Sequence, residues 1–200
     1  MTTRETEFHD REGIQNTEST LQAAAQRAAE LGIDQLVVPT TTGRTALQCA
    51  ESMPQMDVIA AVTMHAIDRP IVVKRHGEDV QAKHPALMQQ ARERGVRFYT
   101  GVHPFRGAVS SALHDRLGGY APHDVMAELL MQWFSTGTKV ALECTLMAAD
   151  GGLIDTARDV IALGGWRGGV DTALVVKPAF SYRLFELKVR EVIALPRDHA

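Results

Sequence analysis

The run Thr40-Thr41-Thr42-Gly43-Arg44-Thr45 gathers hydroxyls, a glycine and a guanidinium into six consecutive residues. Hydroxyls donate to anionic oxygen, a guanidinium forks onto phosphate, and glycine lets backbone N–H groups approach a ligand closely. The run follows the apolar stretch Leu36-Val37-Val38 and precedes Ala46-Leu47-Gln48-Cys49-Ala50, which has helical composition. Strand, tight turn and helix start together offer free N–H groups and the positive end of a helix dipole, the parts of a phosphate site. Hydroxyls also cluster near glycine for local reasons, because Thr bonds nearby backbone in turns. From this loop alone a plain helix cap reads equally well.

A second candidate is Gly164-Gly165-Trp166-Arg167-Gly168-Gly169. Here too glycine permits close approach, Arg167 suits a phosphate and Trp166 could stack on a ring. Taken alone, a glycine-rich turn with Trp166 covering a core edge is the simpler reading.

Among titratable residues, His65 and His103 each follow an expected strand end, at Thr63-Met64-His65 and Thr100-Gly101-Val102-His103. Thr63, His65 and His103 are therefore candidates to line a crevice at that end, against the alternative of ordinary loop residues. Glu143 and Asp150 lie two helical turns apart on one face, in apolar surroundings that raise a carboxyl pKa. The simpler reading pairs Glu143 with a basic residue or backbone and lets Asp150 cap the Gly151-Gly152 turn. No convergent set of metal ligands is present in the sequence.

The elements that must position these residues follow from periodicity. A short strand is expected around Thr6–His9. A helix runs from a cap at Asn16 or Thr17 to Leu31, with Gly32 as its stop. Strands are expected at Gln35–Pro39, Asp57–Thr63, Val96–Thr100, Asp159–Leu163, Thr172–Lys177 and Glu191–Leu195. Helices are expected at Gly43–Ser52, Pro85–Arg94, Ala108–Leu117 and Pro122–Ser135. The charged stretch from Asp68 to Lys83 reads as a loop or lid-like excursion. Thr138–Asp150 carries both periods and is assigned to helix. Strands alternating with helices predict an α/β fold with a largely parallel sheet.

The 200 residues suit one domain over 1–200, with 45% hydrophobic and 22% charged residues. The net charge of −3 excludes the basic signature of a nucleic-acid binder, and no apolar run approaches a membrane span. The polar first residues lack an apolar signal region, so a cytoplasmic location is expected. Cys49 and Cys144 sit in apolar stretches and should be reduced and buried. A homo-oligomer is compatible with base rates; the apolar helix around Val125–Phe134 fits either core or interface.

The two loops together resemble the C-terminal regulatory domain of pyruvate kinase, which has a Thr-x-Ser-Gly-Arg-Thr/Ser loop and later a Gly-Trp-Arg-x-Gly loop. Their counterparts here are Thr40–Thr45 and Gly165–Gly169. A closer resemblance is to stand-alone archaeal and bacterial proteins of the pyruvate kinase α/β-domain-like family. It covers nearly the whole chain and includes Asn16-Thr17-Glu18, Met147-Ala148-Ala149-Asp150-Gly151-Gly152, Gly168-Gly169-Val170-Asp171-Thr172-Ala173, Lys177-Pro178-Ala179 and Glu191–Arg197. This resemblance implies a three-layer α/β/α sandwich with core strand order 3-2-1-4-5 and the fifth strand antiparallel. Strands 1 and 4 would then be neighbours where the order reverses, and the two loops would face one crevice at a switch point.

The family resemblance also implies flavin mononucleotide (FMN) as cofactor, with the Thr-Gly-Arg loop on its phosphate. Pyruvate kinase chemistry needs a separate (β/α)₈ barrel of about 250 residues, for which these 200 have no room. Three readings stand. The first is a binding protein for a phosphate-bearing ligand, foremost FMN, with a regulatory role. The second is a small flavin-dependent oxidoreductase. The third is an effector-binding domain for a sugar phosphate.

Overall fold

A computed structural model describes residues 3–63, 85–166 and 168–198. In chain order the strands are β1 (Glu7–Arg11), β2 (Gln35–Pro39), β3 (Asp57–Thr63), β4 (Arg97–Gly101), β5 (Val160–Gly164), β6 (Thr172–Lys177) and β7 (Lys188–Asp198). The helices are α1 (Thr17–Leu31), α2 (Arg44–Ser52), α3 (Pro85–Glu93), α4 (Ala108–Leu117), α5 (Pro122–Trp133) and α6 (Thr136–Asp150). Short 3-10 turns at Ile14–Asn16 and Ser181–Glu186, not expected from the sequence, precede α1 and β7. The stretch from Asp68 to Lys83 read as a lid lies outside the described residues, as do His65 and Arg167.

One seven-stranded sheet has the order β1-β7-β6-β5-β2-β3-β4. Its central part, β4-β3-β2-β5-β6, is the expected 3-2-1-4-5 order. β2 pairs parallel with β3 and β5, and β3 pairs parallel with β4. β6 is antiparallel to both β5 and β7, and β1 adds parallel to β7.

Strand residues alternate strictly between two cores. Leu36, Val38, Ile161, Leu163, Ala173 and Val175 face one, packed under α1 and α2. Val37, Val160, Ala162, Leu174 and Val176 face the other, packed under α6. This is a three-layer α/β/α sandwich. A sheet covered on both faces needs apolar residues at every position, which is why β2, β5 and β6 are continuous Val, Leu, Ile and Ala runs.

The helix ends follow local chemistry. Gly32, in the left-handed region at φ 65°, closes α1, and the Ile33 N–H reaches back to Ala28 O at 2.9 Å. At the start of α1 neither Asn16 nor Thr17 serves as the side-chain cap expected: Asn16 Nδ2 donates to Arg11 O at 2.6 Å, and Thr17 is the first helical residue. α6 begins at Thr136 because Ser135 caps it, its Oγ accepting from Thr138 N–H at 2.9 Å. α6 is buried nearly all round, so its sequence carries strand-like alternation and helical period at once.

Candidate functional site

β2 and β5 are adjacent and parallel, with Leu36 opposite Ile161 and Val37 opposite Ala162. Carried two residues on, this register ends the strands together at Pro39 and Gly164. The loops Thr40–Gly43 and Gly165–Asp171 therefore leave the same edge of the sheet side by side. Beyond β2 the order continues through β3 and beyond β5 through β6, so this pair is the switch point.

The first loop is a tight turn held by its own hydroxyls. Thr40 Oγ1 accepts from Gly43 N–H at 3.0 Å, and Thr42 Oγ1 accepts from Arg44 N–H at 3.3 Å. A hydroxyl that accepts keeps its proton to donate elsewhere. Thr40 and Thr45 are buried, Thr41 and Thr42 half-buried, and Arg44 exposed. Gly43 is the N-cap of α2 at φ 94° and supplies no capping side chain. The first intrahelical bond is Leu47 N–H to Gly43 O at 2.9 Å. The N–H groups of Thr45 and Ala46 thus have no acceptor within the helix or from its cap residue. A Cβ on Gly43 would stand 2.9 Å from the backbone nitrogen of Met88, so α3 packs directly against this turn.

The second loop is fixed from beneath. A Cβ on Gly164 would fall 1.8 Å from the Gly137 carbonyl oxygen, and one on Gly165 would lie 2.7 Å from Gly169 O. These two glycines are required by close packing of the loop itself and of α6. Val170 N–H donates to Thr17 Oγ1 at 3.1 Å, and Asp171 N–H to Gly164 O at 3.0 Å. Trp166 is half-buried and Gly168 exposed.

Of the other candidates, Thr63 ends β3 opposite Gly101. His103 and Glu143 come together. Glu143 is fully buried on α6, and its Oε2 lies 2.6 Å from His103 Nδ1 and 2.5 Å from Lys139 Nζ. Its Oε1 accepts from the N–H groups of Phe105 and Arg106 at 2.9 and 3.0 Å. Burial alone would raise this carboxyl; the His103 and Lys139 contacts outweigh it and hold it below the ordinary 4.5. The cluster pins the segment after β4 onto α6, which is the pairing with a basic residue and backbone favoured from the sequence. Asp150 serves a different end from the one expected, accepting from Ser181 N–H at 2.9 Å rather than capping Gly151-Gly152.

Two residues of the site were missed. Asp171 is buried beside the second loop, accepting from Gly13 N–H at 2.9 Å and from Thr172 Oγ1 at 3.0 Å. Its burial raises its pKa, partly offset by those two donors. The sequence shows it only as the last residue of the second loop; its contact with Gly13, 158 residues away, is tertiary. Lys139 was visible as the i−4 neighbour of Glu143, a spacing that brings helical side chains together.

Among the described residues no group of three or more His, Cys, Asp or Glu side chains could hold a metal ion, and no helix is long and apolar enough to cross a membrane. Cys49 and Cys144 are free and buried. An open cavity of about 730 Å³ lies against α1 and α2, bounded in part by Thr17, Glu18, Gln48 and Ser52. Neither candidate loop lines it. At the start of α2 the Gly43 and Arg44 N–H groups are taken by the Thr40 and Thr42 hydroxyls, and Gly43 contributes no capping side chain.

A crystal structure of a pyruvate kinase from Cryptosporidium parvum is similar to this chain at 16% identity and a TM-score of 0.40, over 84% of this chain and 23% of that one. The chain thus spans less than a quarter of that protein's length. The sequence profile of the family described as pyruvate kinase, alpha/beta domain matches residues 18–176, from the first turn of α1 through β6 and including both loops. The chain belongs to the pyruvate kinase alpha/beta domain family.

Proposed function

We propose that the crevice between the loops after β2 and β5 binds a small phosphate-bearing ligand, with FMN, the ligand that the sequence resemblance implies, as the first candidate. The observation that carries this reading is the start of α2. Its N–H groups at Thr45 and Ala46 lack intrahelical acceptors, its N-cap is a glycine, and it sits at the switch point of the sheet. The N-terminus of α6, by contrast, is closed by Ser135. Thr41, Thr42 and Arg44 would add hydroxyl and guanidinium donors to the phosphate, and Trp166 would cover the ring. His103 Nδ1 is held by Glu143, so only its other ring nitrogen would be left to meet the ligand. The role is regulatory or sensing: these residues bind and orient, and the (β/α)₈ barrel that carries pyruvate kinase chemistry is not among them.

The test is to purify the protein, record its visible spectrum, denature it and identify any released molecule by mass spectrometry. A stoichiometric phosphorylated molecule supports the reading, and flavin absorbance selects FMN over a colourless sugar phosphate. Turnover of reduced nicotinamide by the flavin-loaded protein would convert the reading to an oxidoreductase. Absence of any phosphorylated species, together with no binding of added FMN or sugar bisphosphate, would overturn it.

A further inference from the structure

We infer that the groove between α1 and α2 takes the uncharged, hydrogen-bonding body of a phosphate monoester whose phosphate sits at the start of α2. This rests on the phosphate reading above and narrows it, because the groove has no place for a second phosphate.

The groove and the first loop share one face of α2. From Arg44 to Ser52 only Arg44, Gln48, Glu51 and Ser52 are exposed. They recur at three and four residues and so stack on one side of the helix. Gln48, Glu51 and Ser52 bound the open cavity of about 730 Å³. Arg44 stands one turn, about 6 Å, before Gln48. The opposite wall is α1, where Glu18 and Gln22, also four apart, are exposed to the same cavity. The second loop borders it as well. Ile14 and Thr17 line the cavity; Thr17 Oγ1 accepts from Val170 N–H at 3.1 Å, and Ile14 is what a Cβ on Gly168 would meet at 3.8 Å.

The lining sets the class of ligand. Among the described residues it includes the amides of Gln15, Gln22 and Gln48 and no Lys, Arg or His. Each amide both donates and accepts, which matches hydroxyls and the polar edge of a heterocycle. Leu21 and Ala25 supply an apolar floor. A cavity of this size suits a ligand much larger than a phosphate ion. The charged groups of the lining are Glu18 and Glu51, the latter held by Arg94 at 3.0 Å. A second phosphate would meet these carboxylates with no lining cation to offset them, and like charges repel across a contact.

The test is titration of the full chain with FMN, whose ring and side chain are uncharged, with glycerol phosphate, which has almost no body, and with fructose bisphosphate. Calorimetry reads tight binding and phosphorus NMR reads weak binding. FMN should bind at least tenfold tighter than the other two. Gln48→Ala should weaken FMN about tenfold, the worth of one hydrogen bond. Gln22→Trp should weaken it about a hundredfold by filling the groove. Neither should change the affinity for glycerol phosphate, and both positions are exposed on helices, so the fold is retained. Tighter binding of fructose bisphosphate or glycerol phosphate than of FMN would overturn the inference and leave the phosphate reading standing. So would FMN binding that Arg44→Ala weakens but both groove substitutions leave unchanged. Binding of FMN and glycerol phosphate indifferent to Arg44→Ala, or no binding of any of the three, would overturn the phosphate reading and the inference with it.

Discussion

The backbone of Gly137, in the first turn of α6, touches the backbone of Gly164 at the end of β5 so closely that a Cβ on Gly164 would stand 1.8 Å from the Gly137 carbonyl oxygen. The obstacle is backbone, which cannot swing away. Gly164→Ala should therefore cost about 3 kcal/mol, at the upper end of overpacking effects, measured by urea unfolding. Gly168 behaves differently. A Cβ there meets only Ile14 at 3.8 Å, but the backbone sits at φ 95°. Gly168→Ala should cost about 1–2 kcal/mol from strain alone. A β-branched residue would cost more.

Glu143 should govern stability in acid. Its folded pKa lies below the ordinary 4.5, so its stabilising effect is fully present above that value and is lost as pH falls through the folded pKa. Glu143→Gln should flatten the pH dependence of the melting temperature on the acid side. Glu143→Ala should cost about 3–5 kcal/mol at neutral pH, because it leaves Lys139 buried without its carboxylate. Thermal melts from pH 3 to 7 check both.

Asp171 should act with the opposite sign. Burial raises its folded pKa above the ordinary 3.8, so its protonated form is favoured in the fold. That contribution is present below the ordinary value and lost as pH rises through the folded pKa. Asp171→Asn keeps an acceptor for Gly13 N–H and should remove this loss, raising stability at pH 7 relative to pH 4 when compared with wild type.

The two thiols should be inert in the native state. Burial pushes Cys49 up to about 12 and raises Cys144 further, with Glu143 adding to it. A thiol-reactive dye should label neither until denaturant is added, and labelling should then track unfolding.

Much of the fold is written locally. Thr172–Lys177 has the same bounds in sequence and structure because a strand buried on both faces is an uninterrupted apolar run. The strand order came through the family resemblance rather than from any strand's own residues. The sequence hides contacts between distant parts. Ser135 as the cap of α6, Gly137 against Gly164, and His103 against Glu143 each depend on tertiary approach. The glycines of the second loop read as an invitation to a ligand, but Gly164 and Gly165 are needed by the protein's own packing. The strand end at Pro39, the turn glycine Gly43 and the helix start at Arg44 are local features, and they stand where the sequence sets them.

The central claim is that the loop after β2 holds a phosphate, and Arg44 tests it most directly. Calorimetric titration of wild type and Arg44→Ala with FMN and with riboflavin, which lacks the phosphate, separates charge from ring. The account predicts that Arg44→Ala weakens FMN by about 1.5–3 kcal/mol, the worth of a charge-assisted hydrogen bond, and leaves riboflavin nearly unchanged. Equal weakening of both ligands, or no weakening of either, would contradict it.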